Sequence, residues 1–188
     1  MTTINMTGYH GTAYGNVPSI LKDQFVTDER DDHWLGQGIY FYDDLDLARW
    51  WIETKLRCAS GCAVIEASLC CQEIEYLDLD HFKGLDFYFR ELGNILDNLS
   101  ISLRFKDDDE QSRIRNLCFS LDLLKNHLGL KLVTMTFYKP LPRYAEGNIK
   151  EFQRQYFPLP KSFSYKERQI CASTNDIILS KKCVHSVK

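Results

Sequence analysis

The chain has 188 residues, 44% of them hydrophobic, and a formal net charge of -3 with a pI near 6.0. This length and apolar content predict a single domain over residues 1–188 with a substantial core, and they exclude a disordered chain. The negative charge and acidic runs such as 107–110 argue against a broad surface for nucleic acid.

The apolar segments and the cysteines indicate the cellular location of the protein and the metal chemistry to expect. The sequence shows no apolar segment after a basic start and no run of about 18 apolar residues, which predicts a cytoplasmic protein without membrane contact. Delivery to another cell stays open. The seven cysteines are an odd number without a regular framework, which predicts reduced thiols. Cys58 and Cys62 lack a second Cys/His pair, so we expect no metal site.

The first half of the chain predicts alternating short strands and helices. In order, these are a strand over 2–9 that ends at His10-Gly11, a helix from Val17, a loop over 26–38, a strand over 39–42 and a helix from Leu45 to about Arg57. Pro18 suits the first turn of a helix. Asp43 or Asp44 can cap the helix that follows.

The second half adds helices and then strands. In order, we expect strands over 63–69 and 73–77, helices over about 80–96 and 109–128, a strand over 132–137, an irregular proline-bracketed stretch over 139–164, and strands over 168–173 and 176–180. This order has no regular strand–helix alternation, which predicts an α+β fold with an antiparallel or mixed sheet. No GxGxxG or P-loop pattern opens a helix after a strand.

Two short segments carry most of the functional information. The first is Tyr9–Thr12, read YHGT, and the second is Trp34–Phe41, read WLGQGIYF. Each joins polar aromatic residues to glycine. Glycine lets a backbone approach a ligand closely, and His and Tyr supply hydrogen-bonding groups and flat faces. The pattern is typical of the wall of a nucleotide pocket, although a lone His-Gly is also common in structural loops.

Together the two segments resemble signatures of the ADP-ribosyltransferases related to poly(ADP-ribose) polymerases. This family is built around a His, a Tyr and a Glu. The resemblance covers roughly residues 1–70 and 130–180. It implies an ADP-ribosyltransferase-like split antiparallel or mixed sheet with flanking helices. The helical stretch at about 78–128, which the resemblance does not cover, would be an insertion into this fold.

The resemblance assigns NAD-binding roles to both segments. His10 would hydrogen-bond a ribose of NAD, the backbone of Gly11 would hold the nicotinamide carboxamide, and Thr12 would add a contact. Tyr40 would stack on the nicotinamide ring, beside Gly38 of the glycine pair. The family closes the other face of the ring with an aromatic residue about ten positions later.

Three further positions complete the expected site. For the second aromatic residue, the adjacent Trp50 and Trp51 are available, and a helix turns them about 100° apart, so that one can face the pocket. Trp50 is the preferred candidate, and core packing is the alternative for both. Arg30, between the two segments, is a candidate contact for the NAD pyrophosphate, with a solvated loop arginine as the alternative.

The third family signature is altered. Its Glu aligns with Gln169 in the segment 166–173. A carboxylate stabilises the positive charge of an oxocarbenium-like transition state, whereas an amide offers only a dipole. Glu167, two residues earlier, points to the same face of a strand. It can supply that charge or orient the acceptor, and a solvated edge glutamate is the alternative.

The resemblance therefore implies a mono-ADP-ribosyltransferase that uses NAD as a substrate and releases nicotinamide. The catalytic candidates are Gln169, Tyr40, His10 and Glu167. Poly(ADP-ribose) synthesis is not expected, because the family links elongation to the Glu that Gln169 replaces. The acceptor would be a protein, with nucleic acid as an alternative. Two other functions stay open, an idle NAD- or ADP-ribose-binding module and an NAD glycohydrolase, as does a toxin role with an antitoxin or inhibitor partner.

Overall fold

The computed structural model describes residues 2–27, 33–56, 61–100, 110–140 and 164–187. Its strands are β1 (Thr3–Ala13), β2 (Ile39–Tyr42), β3 (Cys62–Gln72), β4 (Tyr76–Asp78), β5 (Leu132–Pro140), β6 (Ser164–Ala172) and β7 (Ile178–Val187). Its helices are α1 (Val17–Lys22), α2 (Leu45–Trp51), α3 (Phe82–Asn98) and α4 (Glu110–Leu128). A π-helical segment (Ile52–Leu56) continues α2.

The seven strands form one sheet in the order β4-β5-β6-β2-β1-β3-β7. Only β4 and β5 run parallel among the described pairs, so the sheet is mixed. The α+β class with a mixed sheet is confirmed. No helix in the described part of the chain is long and apolar enough to cross a membrane.

Both faces of the sheet are covered, because successive strand residues point to opposite sides. On one face Ile65, Leu132 and Ile170 form a core cluster with α1. On the other face α3 and α4 cover the end of the sheet that contains β5 and β6, where Val133 is buried. The α2 helix covers the β1 and β3 side of the same face, above Val64.

Several element boundaries differ from the sequence-based expectations. β1 runs on to Ala13, so His10 lies inside a strand and not at its end. The bend expected at 70–72 falls at 73–75, because β3 stays paired with β1 as far as Gln72. α3 begins at Phe82, about two residues past the start expected for this helix, since β4 and a turn occupy 76–80.

The sheet opens between β1 and β2. β1 pairs with β3 over its whole length, in eleven registered pairs from Thr3 with Gln72 to Ala13 with Cys62. With β2 it shares one registered pair, Tyr9 with Tyr42. Beyond that pair the imidazole of His10 reaches the backbone carbonyl of Tyr40. A side chain thus bridges the two strands where a ladder hydrogen bond would otherwise form, and a gap remains beside it.

Candidate functional site

A pocket with a volume of about 430 Å³ lies at this opening. Its wall contains His10 and Gly11 from β1, Tyr40 from β2 and Gln169 from β6. These residues are far apart in the sequence, and they meet because β1, β2 and β6 are neighbours in the sheet. The volume falls within the range of about 300–1,000 Å³ that is common for small-molecule sites.

His10 is held as a neutral imidazole. Its Nδ1 lies 2.8 Å from the carbonyl oxygen of Tyr40, and its ring packs edge-on against Phe25 and Phe41 at centroid distances of 5.0 and 5.8 Å. Burial lowers the pKa of His10, while the hydrogen bond to Tyr40 opposes that shift. A carbonyl oxygen only accepts, so Nδ1 carries the proton and Nε2 is an acceptor.

Tyr40 presents its ring to the pocket and uses its hydroxyl elsewhere. The hydroxyl donates to the carbonyl of Gly36 at 2.7 Å and accepts from the N–H of Leu35 at 2.7 Å. Burial raises the pKa of the phenol, and the nearby Cys171 adds to the shift. The phenol therefore stays protonated, which makes it a fixed flat surface and not an acid or base.

Gln169 lines the pocket, and Glu167 lies behind it. The Gln169 Nε2 donates to Glu167 Oε1 at 2.5 Å, and Glu167 is only 5% exposed. The solvated edge position considered for Glu167 is therefore wrong. Glu167 itself lies outside the pocket wall. Because the Gln169 amide nitrogen is used in this hydrogen bond, the Gln169 carbonyl oxygen is left for another partner.

Two glycines in the wall have packing reasons for their identity. A Cβ on Gly11 would meet Ile52 Cγ2 at 2.5 Å and Trp51 Cε3 at 2.8 Å. Gly38 has φ +153°, and a Cβ there would meet the carbonyl oxygen of Ala172 at 2.6 Å. Both positions let main chain approach protein neighbours closely, whereas the predicted approach of these glycines to a ligand stays a prediction.

Three other predicted contacts differ from the structure or fall outside it. Trp51 lies in the pocket wall in place of the preferred Trp50, whose ring instead lies under the Lys55 ammonium, 5.9 Å from it. Thr12 is 6% exposed and lies outside the wall, where its hydroxyl accepts from Asn16 Nδ2 at 3.2 Å. Arg30 lies outside the described residues.

The structure adds wall residues that the sequence did not assign. His33, Trp34 and Tyr42 all line the pocket, and the His33 and Tyr40 ring centroids are 5.0 Å apart. The aromatic residues just before Gly36 were a usable signal for His33 and Trp34. Val26 and Thr27 also line it, but nothing in their local sequence indicates a ligand contact.

The wall is aromatic and uncharged in character. Among the described residues that line it, none is Asp, Glu, Lys or Arg. No group of three or more His, Cys, Asp or Glu side chains in the described ranges is placed to hold a metal ion. Such a wall suits a flat heteroaromatic ring that also exchanges a few hydrogen bonds with His10, Gln169 and backbone groups.

Comparison with known proteins identifies a distant archaeal relative. The chain is 25% identical over 187 residues to the uncharacterized protein MJ0359 of Methanocaldococcus jannaschii, a match that covers 95% of this chain and 86% of that protein. No family model matches the sequence, and no solved structure gives a significant match. The similarity to the archaeal protein therefore extends along nearly the whole chain and is not confined to the two glycine-containing segments.

Proposed function

We propose that this protein is an NAD-dependent mono-ADP-ribosyltransferase with an ADP-ribosyltransferase-like sheet. One observation supports the proposal above all: His10, Tyr40 and Gln169 line the same pocket from three neighbouring strands. These are the positions that match the His, Tyr and Glu of the family that the two segments resemble. If the motif matches were due to chance, there would be no reason for the three residues to lie in one cleft.

The proposed binding mode uses the groups that the pocket offers. The nicotinamide ring stacks on Tyr40, with Trp51 as the second aromatic residue of the wall. The carboxamide binds backbone groups at Gly11. His10 Nε2 accepts a hydrogen bond from a ribose hydroxyl, which the neutral tautomer permits.

The proposed reaction exchanges one bond at the ribose C1′ atom. The bond from C1′ to the nicotinamide nitrogen breaks, and its electron pair leaves with nicotinamide. The acceptor nucleophile then bonds to C1′ and gives up its proton. The cationic transition state favours nearby negative charge. Glu167 lies one hydrogen bond behind Gln169 and polarises its amide, so that the carbonyl oxygen becomes more negative.

A second candidate function is an NAD- or ADP-ribose-binding module without turnover. The observation that favours it is Gln169, whose amide lacks the charge of the family's Glu. Losing one preorganised electrostatic partner lowers rates by about a hundred- to a thousandfold. A transferase slowed to this extent can be told from a sensor only by measuring turnover of NAD.

Incubation of the purified protein with NAD labelled in the adenylate part decides among these functions. We expect nicotinamide release together with label on a macromolecular acceptor. Binding without nicotinamide release would identify the sensor, and free ADP-ribose as the sole product would identify an NAD glycohydrolase. Absence of binding of both NAD and ADP-ribose in titration calorimetry would exclude all three.

Removing the Tyr40 ring tests the stacking role. Tyr40→Ala is expected to raise the Kd for NAD by about 5- to 150-fold, which corresponds to about 1–3 kcal/mol of lost stacking. Tyr138→Ala is a matched control, because Tyr138 is 67% exposed on β5 and lies outside the pocket. Equal Kd values for both variants in calorimetry would contradict the binding mode.

Restoring a carboxylate at Gln169 tests the charge argument. Gln169→Glu is expected to speed nicotinamide release, since a carboxylate stabilises the cationic transition state better than an amide. The new carboxylate faces the buried Glu167, so we also expect the variant's free energy of unfolding to fall relative to wild type as pH rises from about 5 to about 7. A rate at or below that of wild type at every pH would show that charge at this position does not limit the reaction.

A further inference from the structure

The loop that leads into β2 is held by a helix from outside the region of family resemblance. Residues 33–38 contribute His33, Trp34 and Gly38 to the pocket wall. The loop is irregular, and Gly36 within it has φ +77°. Its residues belong to no strand before Ile39, so side chains pair several of its backbone groups, while the Gly36 N–H donates to the His33 carbonyl at 3.3 Å. The α4 helix supplies two of these side chains.

Lys125 of α4 is a buried cation aimed at this loop. Its side chain is only 5% exposed. The ammonium donates to the carbonyl oxygens of Leu35 at 2.6 Å and Gln37 at 2.7 Å, and to Cys171 Sγ at 3.4 Å. An ammonium has three protons, and each has an acceptor here. Lysine is almost never this buried unless it is paired, so the position has a specific use.

Asp122, one turn earlier on α4, completes the contact. Its Oδ1 accepts from the backbone N–H of Gln37 at 2.6 Å and lies 3.6 Å from the Lys125 ammonium. The loop approaches so closely that any side chain at Gly36 would run into Asp122 and Lys125. Gln37 is therefore bound at both its N–H and its carbonyl by one face of α4.

The same loop backbone is also bound by Tyr40, a residue of the pocket wall. The Tyr40 hydroxyl binds the N–H of Leu35 and the carbonyl of Gly36. Cys171, which contacts Lys125, lies two residues after Gln169 on β6. Lys125 thus joins three parts of the molecule: α4, the loop attached to Tyr40, and the strand that carries Gln169.

We propose that Lys125 and Asp122 are positioning residues of the pocket, which fix the loop backbone at 35–37 and through it the Tyr40 ring and the Trp34 wall. Through α4, the helical insertion then contributes to the structure of the site. This inference rests on the proposed function only where it concerns NAD. The fixing of the loop stands on the contacts themselves.

The first test needs no ligand. In Lys125→Met, which keeps the length of the side chain and removes its donors, hydrogen exchange of the 35–37 amides is expected to accelerate about tenfold or more. Ser120→Ala is the matched control, because it removes a buried hydrogen bond from α4 to Tyr88, at 2.6 Å, away from the loop. Equal acceleration in both variants, or none in Lys125→Met, overturns the proposal.

A pair of substitutions at Asp122 covers the case in which Lys125→Met fails to fold. Asp122→Ala removes the acceptor of the Gln37 N–H, so exchange at that amide is expected to accelerate. Asp122→Asn keeps an oxygen acceptor and is expected to retain slow exchange. If the two variants exchange alike, Asp122 does not hold the loop and the proposal fails.

Titration with NAD links the loop to the pocket. We expect the Kd for NAD to rise about tenfold or more in Lys125→Met and to stay within about twofold of wild type in Ser120→Ala. A wild-type protein that does not bind NAD would refute the proposed function, and the exchange data would still decide whether the loop is fixed by α4. Unchanged NAD affinity in Lys125→Met would refute the positioning role.

Discussion

His10 shows how two neighbouring groups determine the chemistry of one residue. The sequence supplies an imidazole, and the fold gives its Nδ1 a carbonyl partner and surrounds the ring with Phe25 and Phe41. Burial disfavours the charged form. The residue thereby becomes a neutral hydrogen-bonding group near neutral pH, which a free histidine is only in part.

This environment predicts a pH dependence of stability. The folded state has a His10 pKa below the ordinary value of 6.5, so below about pH 6.5 the unfolded chain binds more protons than the folded protein. Stability is therefore lost as pH falls from about 6.5 towards the lowered pKa. His10→Gln keeps a donor for Tyr40 but does not titrate, and its free energy of unfolding is expected to fall less between pH 6.5 and 5. Urea unfolding at several pH values measures this, and parallel curves would contradict it.

Tyr40 shows the limit of reading one residue from its motif. The sequence predicts a ring in a ligand wall, and Tyr40 is one of the residues that line the pocket. It does not predict that the hydroxyl binds Leu35 and Gly36. That contact depends on the path of the loop, which Lys125 and Asp122 fix from 85 or more residues away in the sequence.

At the scale of elements, the start of α2 is set by the residue that precedes it. The sequence offered Asp43 or Asp44 as the cap, and the structure selects Asp44, whose Oδ1 accepts from the N–H groups of Asp46 and Leu47 at 2.7 and 3.3 Å. The cap fixes where the helix starts, and tertiary packing decides which of the two tryptophans faces the pocket. Trp51 does so because α2 and the π-helical segment pack Trp51 and Ile52 against Gly11.

The cap gives a prediction about stability. Asp44→Ala is expected to lower the free energy of unfolding by about 0.5–2 kcal/mol, because two helix N–H groups lose their acceptor. Asp44→Ser retains a capping oxygen, and its free energy of unfolding should fall by no more than about a few tenths of a kcal/mol. Urea denaturation compares the two proteins, and equal losses would show that capping is not the reason for the aspartate.

At the scale of the whole molecule, the docking of α2 on β1 depends on a missing side chain. Gly11→Ala would place a methyl group 2.5 Å from Ile52 and 2.8 Å from Trp51. We expect a loss of about 1–3 kcal/mol from this overpacking, together with displacement of Trp51 from the wall. The measurements are urea unfolding and a crystal structure of the variant.

Gly15→Ala provides the control for that substitution. A Cβ at Gly15 meets no atom within 4 Å. Its stability is expected to stay within about 0.5 kcal/mol of wild type. If Gly11→Ala is equally mild, β1 and α2 are less tightly packed than the distances indicate, and Gly11 is retained for another reason.

The sequence by itself determined the local features: the α+β class, the presence and order of the helices and strands though not all of their ends, and the two glycine-containing segments. Periodicity, caps and glycine act over a few residues, so a local reading finds them. Tertiary structure decided the gap between β1 and β2, the burial of Glu167 behind Gln169, the choice of Trp51 and the hold of α4 on the loop. Each of these depends on which distant backbone segment lies next to which side chain. Strand pairing across the sheet sets that arrangement, and local sequence patterns do not reveal it.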